Sequence, residues 1–399
     1  MKRIIFHIDV NNAFLSWSAL DLLKRGSKLD IRTITSVVSG DESTRHGVVL
    51  AKSMPSKKAG IVTGEPLFLA RKKVDKLYVV GVNREIYKYY SNEFYKILCN
   101  YTDVIERYSI DECFMDMTGT EKIFGDPVKL AYKIKDEIYN KLGFTVNVGV
   151  ANNKLCAKMA SDFEKPNKVH TLFENEVKEK IWNMKVDELF MIGKSSSKKL
   201  HELGIHTIGE LAKSDELILS KYFKSAAKSM IEHANGIDNS LVERPIPKNQ
   251  GIGNSITLPN DLVSLNEIKK VIKDLSNMVG IRLRKEKKYA TVISVQLKNN
   301  EFFNYQHQKK LVNPISSDED IYENACDLLK SMWKGDPIRL VGVRVSDFTD
   351  KTFEQFSLFE ETGKIEKRQK VQKTVDEINE KFGQNTIISA SYLDKKTKD

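Results

Sequence analysis

The sequence predicts an α+β protein built of several packed units. Three observations carry that prediction. At 399 residues the chain exceeds the size at which one hydrophobic core keeps growing. Period-two alternation, as at Ile4, Phe6, Ile8 and Val10, is interleaved with helical spacing, as at Ile86, Tyr90, Phe94 and Ile97. The segment Arg244-Pro245-Ile246-Pro247-Lys248 reads as a stiff, extended linker, because each proline removes a backbone donor and biases its predecessor away from helix.

The elements follow in order. Ile4, Phe6, Ile8 and Val10 alternate with Ile5, His7 and Asp9, so the chain begins with a strand that has one face on a core and Asp9 near its C-terminal end. From Asn11 to about Lys76, charge and turns such as Ser39-Gly40-Asp41 and Thr63-Gly64-Glu65-Pro66 predict a small, irregular inserted subdomain. Glu85 to Asn100 reads as a helix with Ile86, Tyr90, Phe94, Ile97 and Leu98 on one side. Val104 to Tyr108 and Cys113 to Met117 are strand-like runs joined by Ser109-Ile110-Asp111-Glu112, a hairpin with acidic residues at or beside its tip. Pro127 opens a helix that Asp126 can cap, and Val146, Val148 and Val150 give another strand. That order predicts helices on one face of an antiparallel sheet.

From about Leu172 to Gly236 the chain is helical and basic, with Met191-Ile192-Gly193-Lys194-Ser195 and Leu203 to Leu211 forming two short helices joined by a glycine turn. Beyond the linker come a helix (264–285), a strand (290–297), a helix (318–332) and a strand (338–348), a compact α+β unit. The tail from Thr349 carries a short apolar motif and then a helix with Val371, Val375, Ile378 and Phe382 on one face, ending at Gly383.

Lys and Arg total 64 against 54 for Asp and Glu, a formal charge of +10 that favours a polyanionic partner. Charge alone does not separate nucleic acid from an anionic membrane, but no apolar run approaches the roughly 20 residues of a membrane helix. The expectation is a cytoplasmic monomer without a membrane role. Cys99, Cys113, Cys156 and Cys326 are scattered and form no CxxC, which argues against a zinc site and a disulfide framework.

Two divalent metal ions acting together need several carboxylates converging from rigid elements, and magnesium prefers oxygen ligands. Asp9 at a strand end and Asp111 with Glu112 at the hairpin could supply them if the two strands are neighbours. Taken alone, an Asp-Glu pair in a turn reads as a solvated one.

The wider pattern bears on that choice. Asp9-Val10-Asn11-Asn12-Ala13-Phe14, Tyr108-Ser109-Ile110-Asp111-Glu112, and Gly149-Val150-Ala151-Asn152-Asn153-Lys154 followed by Lys165-Pro166-Asn167 together resemble the Y-family, or translesion, DNA polymerases of the bacterial polymerase IV and UV-damage-repair type. The resemblance covers roughly residues 1 to 350. It implies a right hand: palm at 1–12 and 77–171, fingers at 13–76, helix-hairpin-helix thumb at 172–236, linker at 237–249, α+β little finger at 250–350 and a tail at 351–399. The implied activity is DNA-directed, error-prone synthesis past damaged bases, with primer-template DNA and deoxynucleoside triphosphates as partners. Asp9, Asp111 and Glu112 become catalytic ligands of two Mg²⁺ ions, with the Val10 carbonyl as a further ligand.

The same resemblance places Phe14 against the sugar of the incoming nucleotide, where a flat ring would clash with a 2′-hydroxyl, and Lys165 on the triphosphate. The fingers depart from the family. Its Tyr-x-x-Arg grip appears here as Met54-Pro55-Ser56-Lys57; Lys57 replaces the charge but not a bidentate fork, and Met54 cannot donate a hydrogen bond. Gly193, Lys194 and Lys198 resemble a helix-hairpin-helix start that binds a DNA phosphate, and Arg282 and Arg284 a little-finger contact. Gln355-Phe356-Ser357-Leu358-Phe359 looks like a bacterial sliding-clamp motif, with Gln355, Ser357, Leu358 and Phe359 in the clamp pocket. Two other readings compete. A nucleotide cyclase also uses acidic pairs on such a sheet, but the hairpin-like thumb and basic distal domain argue against it. A catalytically impaired DNA- and clamp-binding scaffold is kept alive by Met54 and Lys57.

Overall fold

The computed structural model describes residues 2–42, 45, 47–243 and 250–350, with scattered positions between 371 and 387. The described residues fall into two compact units, the first ending by residue 243 and the second spanning 250–350.

The first unit runs β1 (Ile5–Val10), α1 (Ala13–Lys24), β2 (Ser36–Ser39), β3 (Val49–Lys52), α2 (Met54–Lys58), α3 (Leu67–Arg71), β4 (Tyr78–Gly81) and α4 (Arg84–Leu98). It continues through β5 (Ile105–Arg107), β6 (Glu112–Asp116), α5 (Glu121–Phe124), α6 (Pro127–Leu142), β7 (Val146–Ala151), α7 (Lys154–Asp162) and β8 (Val169–Leu172). Five helices close it: α8 (Val177–Ile181), α9 (Lys194–Glu202), α10 (Ile208–Ala212), α11 (Glu216–Phe223) and α12 (Ala226–Ala234).

Its main sheet has the order β5-β6-β1-β7-β8, antiparallel except for the parallel pair β7 and β8. Phe6, Ile8 and Val10 of β1 and Val146, Val148 and Val150 of β7 bury one face in a core shared with α1, α4 and α6. The expectation of helices on a single face of an antiparallel sheet is corrected here, because α7 lies on the opposite face. There Ile5, Phe114 and Ala151 join Ala157, Met159 and Ala160 in a core that extends into the helices beyond Val177. Gly149 is the reason α7 comes so close: a Cβ at that position would lie 1.9 Å from the Ala157 carbonyl oxygen and 2.6 Å from the Ser161 nitrogen. The β7-α7-β8 crossover also makes the last strand pair parallel, since only a connection of that length returns the chain in the same direction.

The stretch from Asn11 onward is more regular than its sequence predicts. Residues Ala13, Leu15, Ser16, Trp17, Ser18 and Ala19 of α1 are all buried, and a helix enclosed on most sides shows no apolar stripe. The rest builds a three-stranded sheet, β3-β2-β4, over a small core of Val37, Val49, Ile61, Leu67 and Ala70.

The second unit contains β9 (Gly251–Leu262), α13 (Leu265–Lys285), β10 (Tyr289–Asn299), β11 (Asn304–Ile315), α14 (Asp318–Met332) and β12 (Ile338–Thr349). Its antiparallel sheet has the order β11-β10-β12-β9. Ile293, Val295, Leu297, Val341, Val343 and Val345 face α13 and α14, while the alternate residues point to a helix-free face. Both outer strands, β9 and β11, escape a reading by apolar alternation because edge strands carry polar side chains. Among the described residues no helix is long and apolar enough to cross a membrane.

Candidate active site

β1 lies between β6 and β7, and its register sets Asp9 opposite Glu112 on one side and Asn147 on the other. The Val10 amide donates to the Asp111 carbonyl at 3.0 Å, which carries the pairing to the hairpin tip. Because cross-strand partners share a sheet face, Asp9 and Glu112 both lie under α7 and the segment after it.

Two lysines from that segment meet the carboxylates. Lys165 pairs with Asp9 and, at 2.8 Å, with Asp162. Lys158 sits 2.9 Å from Glu112, whose other neighbour is the imidazole of His7, with Nε2 3.6 Å away. The two acids differ electrostatically. Burial pushes the Asp9 carboxyl up to about 6 despite the Lys165 ammonium, as the residue retains only 7% exposure. Burial also raises Glu112, but its polar neighbours, the His7 imidazole and the Lys158 ammonium, outweigh it and bring the carboxyl down to about 2. His7 is fully enclosed, and burial lowers its basicity. The Ser161 hydroxyl donates to the Lys158 carbonyl at 2.8 Å and lies 2.7 Å from His7 Nδ1, within hydrogen-bond distance of the ring.

Asp111 is adjacent through the backbone, but its carboxylate accepts from Ser109 Oγ at 2.6 Å. Among the described residues no three His, Cys, Asp or Glu side chains are gathered around a common point. The donor set nonetheless fits divalent magnesium: it is all oxygen, and Asp9 and Glu112 each already hold a cation, the ammonium of a lysine.

Phe14 enters from α1, half-buried, its ring stacked on Tyr87 at a centroid distance of 4.6 Å and an interplanar angle of 26°. Asn12, in the left-handed region at φ 48°, turns the chain between the strand that carries Asp9 and the helix that carries Phe14. Met54 and Lys57 are exposed on α2, beside the three-stranded sheet rather than on the main one. Ser53 caps that helix by accepting from the Ser56 amide at 3.1 Å.

Gly193 stands at the N-cap of α9, with no side chain satisfying the amides there, and Lys194 and Lys198 are exposed on its first turns. The following helix α10 opens with a Thr207–Glu210 capping box. In the second unit Arg282 donates to the Gly253 carbonyl at 3.1 Å. Arg284 is engaged by Asp318 at 2.6 Å and by the Ser316 carbonyl. The helix-free face carries charges that sequence reading passed over: Lys298, Lys310 and Arg344. Arg344 lies so close along Gly251 and Gly253 that a Cβ at either would come within 3 Å of its side chain. His7, Lys158 and Asn147 were also missed. A signal existed for His7 and Asn147, each a polar residue in an otherwise apolar run, and none for Lys158. The clamp-like residues Gln355, Ser357, Leu358 and Phe359 lie outside the described residues.

Comparison with known proteins adds independent findings. The impB/mucB/samB family profile matches residues 8–162, and the profile of that family's C-terminal domain matches residues 249–358. DNA polymerase IV of Clostridium acetobutylicum is 47% identical over 399 residues, covering 100% of both chains. DNA polymerase IV of Acetivibrio thermocellus is 34% identical over 97% of this chain and 96% of its own. Among solved structures, a Y-family DNA polymerase chimera matches 87% of this chain and 100% of its own, with a TM-score of 0.76 and 26% identity.

Proposed function

Because this chain belongs to the impB/mucB/samB family of Y-family, polymerase IV-like proteins and is a translesion DNA-directed DNA polymerase, we propose that its active site is the acidic end of the β1–β6 pair. The observation that supports this most is the placement of Asp9 opposite Glu112, with the backbone of Asp111 bonded to Val10, beneath a pair of lysines. Asp9, Asp111 and Glu112, with the Val10 carbonyl, would hold two Mg²⁺ ions, which when bound supply activation of the primer 3′-hydroxyl and neutralisation of the leaving pyrophosphate.

The chain's own groups do the rest. Lys165 moves its charge from Asp9 toward the triphosphate, where a compact ammonium acts as a point charge. Lys158 and His7 hold Glu112 ionised on the opposite side. Phe14, backed by Tyr87, closes the space where a 2′-hydroxyl would sit and so selects deoxynucleotides. Met54 and Lys57 provide a weaker triphosphate grip than a tyrosine and an arginine would.

Primer-template DNA is held through its phosphates by the start of α9 at Gly193, Lys194 and Lys198. In the second unit Arg282 and the open-face residues Lys298, Lys310 and Arg344 add charge, and Arg284 orders α13 against α14. Gln355, Ser357, Leu358 and Phe359 recruit a sliding clamp. The enzyme works as a cytoplasmic monomer. Primer extension by the wild type and by Asp9→Ala tests the site: loss of extension in the variant is expected, and persistent extension would refute the assignment of Asp9.

A further inference from the structure

Asn147 is fully buried on β7, directly beside Asp9 in the sheet, yet every hydrogen-bonding position of its carboxamide is used. Its Nδ2 donates to the carbonyls of Ser161 at 3.0 Å and Glu164 at 2.7 Å. Its Oδ1 accepts from Asn11 Nδ2 at 3.1 Å and from the Lys168 amide at 3.3 Å. Asn11 in turn accepts from the Asn167 amide at 2.9 Å, and that residue sits in the left-handed region at φ 63°. The backbone is thus tied at Glu164 on one side of Lys165 and at Asn167 and Lys168 on the other. Asn11 follows Val10 directly, so the same bonds join the end of the acidic strand to the segment that carries the lysine.

We propose that Asn147 and Asn11 form a buried brace that positions Lys165, so that its ammonium reaches the triphosphate of the incoming nucleotide. The inference rests on Lys165 being a triphosphate contact. Asn147 touches neither nucleotide nor metal and acts only through the backbone on either side of Lys165. Its replacement takes the Asn147 donor from the carbonyls of Ser161 and Glu164, and the segment relaxes at the residues that fix where Nζ sits. The exposed Met54 and Lys57 make the enzyme depend more on that placement.

Single-nucleotide incorporation by the wild type, Asn147→Ser, Lys165→Ala and the double variant tests the brace, with primer-template affinity measured in parallel. Asn147→Ser should raise the nucleotide KM about fivefold with kcat changed less than about twofold and DNA affinity unaltered. Lys165→Ala should raise KM about tenfold, and the double variant should be no worse than Lys165→Ala alone, since both act through one ammonium. An unchanged KM in Asn147→Ser, or a full additional increase in the double variant, would overturn the brace. An unchanged KM in Lys165→Ala would overturn the triphosphate contact and the brace with it. Should Asn147→Ser not fold, Asn11→Ala enters the same cycle, because it removes the acceptor of the Asn167 amide while leaving the bonds to Ser161 and Glu164.

Discussion

Asp9 and Glu112 face each other across β1 and β6, yet their surroundings drive them apart: burial pushes the Asp9 carboxyl up to about 6, while His7 and Lys158 bring Glu112 down to about 2. Glu112 is a committed anion. Asp9 is a buried carboxylate held beside a lysine that has a second carboxylate, Asp162, within reach. The pair is therefore poised to take a cation in exchange for an ammonium, and the residues around it set how well it does so.

Sugar selection should depend on Phe14. Phe14→Ala should raise ribonucleotide incorporation relative to deoxynucleotide by about 10- to 1,000-fold, the range expected when a steric block of about 1.4–4 kcal/mol is removed. It should also cost about 1–2 kcal/mol of stability through the lost stack on Tyr87. Competing incorporation of the two nucleotide types reads the first effect, and unchanged discrimination would refute the role.

The triphosphate grip should be improvable. Replacing both Met54→Tyr and Lys57→Arg should lower the nucleotide KM about tenfold, since a hydroxyl donor and a bidentate guanidinium each add a charge-assisted hydrogen bond. No change in KM would mean that the triphosphate is held away from α2.

Gly149 should tolerate no side chain. Gly149→Ala places a methyl 1.9 Å from the Ala157 carbonyl, and backbone cannot yield as a flexible side chain can. A loss of about 3 kcal/mol or more is expected, with primer extension falling as α7 lifts from His7 and Glu112. Denaturant unfolding measures the first effect; a stability within experimental error of wild type would contradict the packing.

Asp238 should stabilise the fold in a pH-dependent manner. Burial raises its carboxyl, but hydrogen bonds from Ser240 and from the Leu155 amide at the start of α7 outweigh it and hold it below the ordinary aspartate range. A depressed folded-state value means that the stabilisation is present above the unfolded value near pH 4 and is lost as pH falls through the lower folded one. Asp238→Asn should therefore cost about 1 kcal/mol at neutral pH, with the difference shrinking below about pH 4. A gap that persists unchanged in acid would exclude the charge as its cause.

Salt dependence should separate the arginines of the second unit. Arg344→Ala should weaken DNA binding and lower the slope of log affinity against log salt by about one, as expected for one lost phosphate contact. Arg284→Ala should instead destabilise the unit, because its guanidinium serves Asp318 and Ser316. The reverse pattern in filter binding and thermal unfolding would assign the contacts the other way.

What the amino-acid sequence determined by itself was local. The alternation at residues 4–10 announces a strand and its acidic end, Asp126 and Pro127 announce a helix start, and the ordered motifs from Asp9 to Asn167 identify the family. The tertiary structure alone decided the rest. That α7 lies on the second face of the sheet follows from Gly149, whose missing side chain matters only where another backbone approaches it. Asn147 looks like one polar residue in a valine-rich run until Ser161, Glu164 and Lys168 are brought around it. The opposite fates of Asp9 and Glu112 likewise depend on burial and on lysines 46 to 156 residues distant in the chain. Hydrogen-bond partners and local dielectric belong to neighbours in space, and periodicity along a chain records only neighbours in sequence.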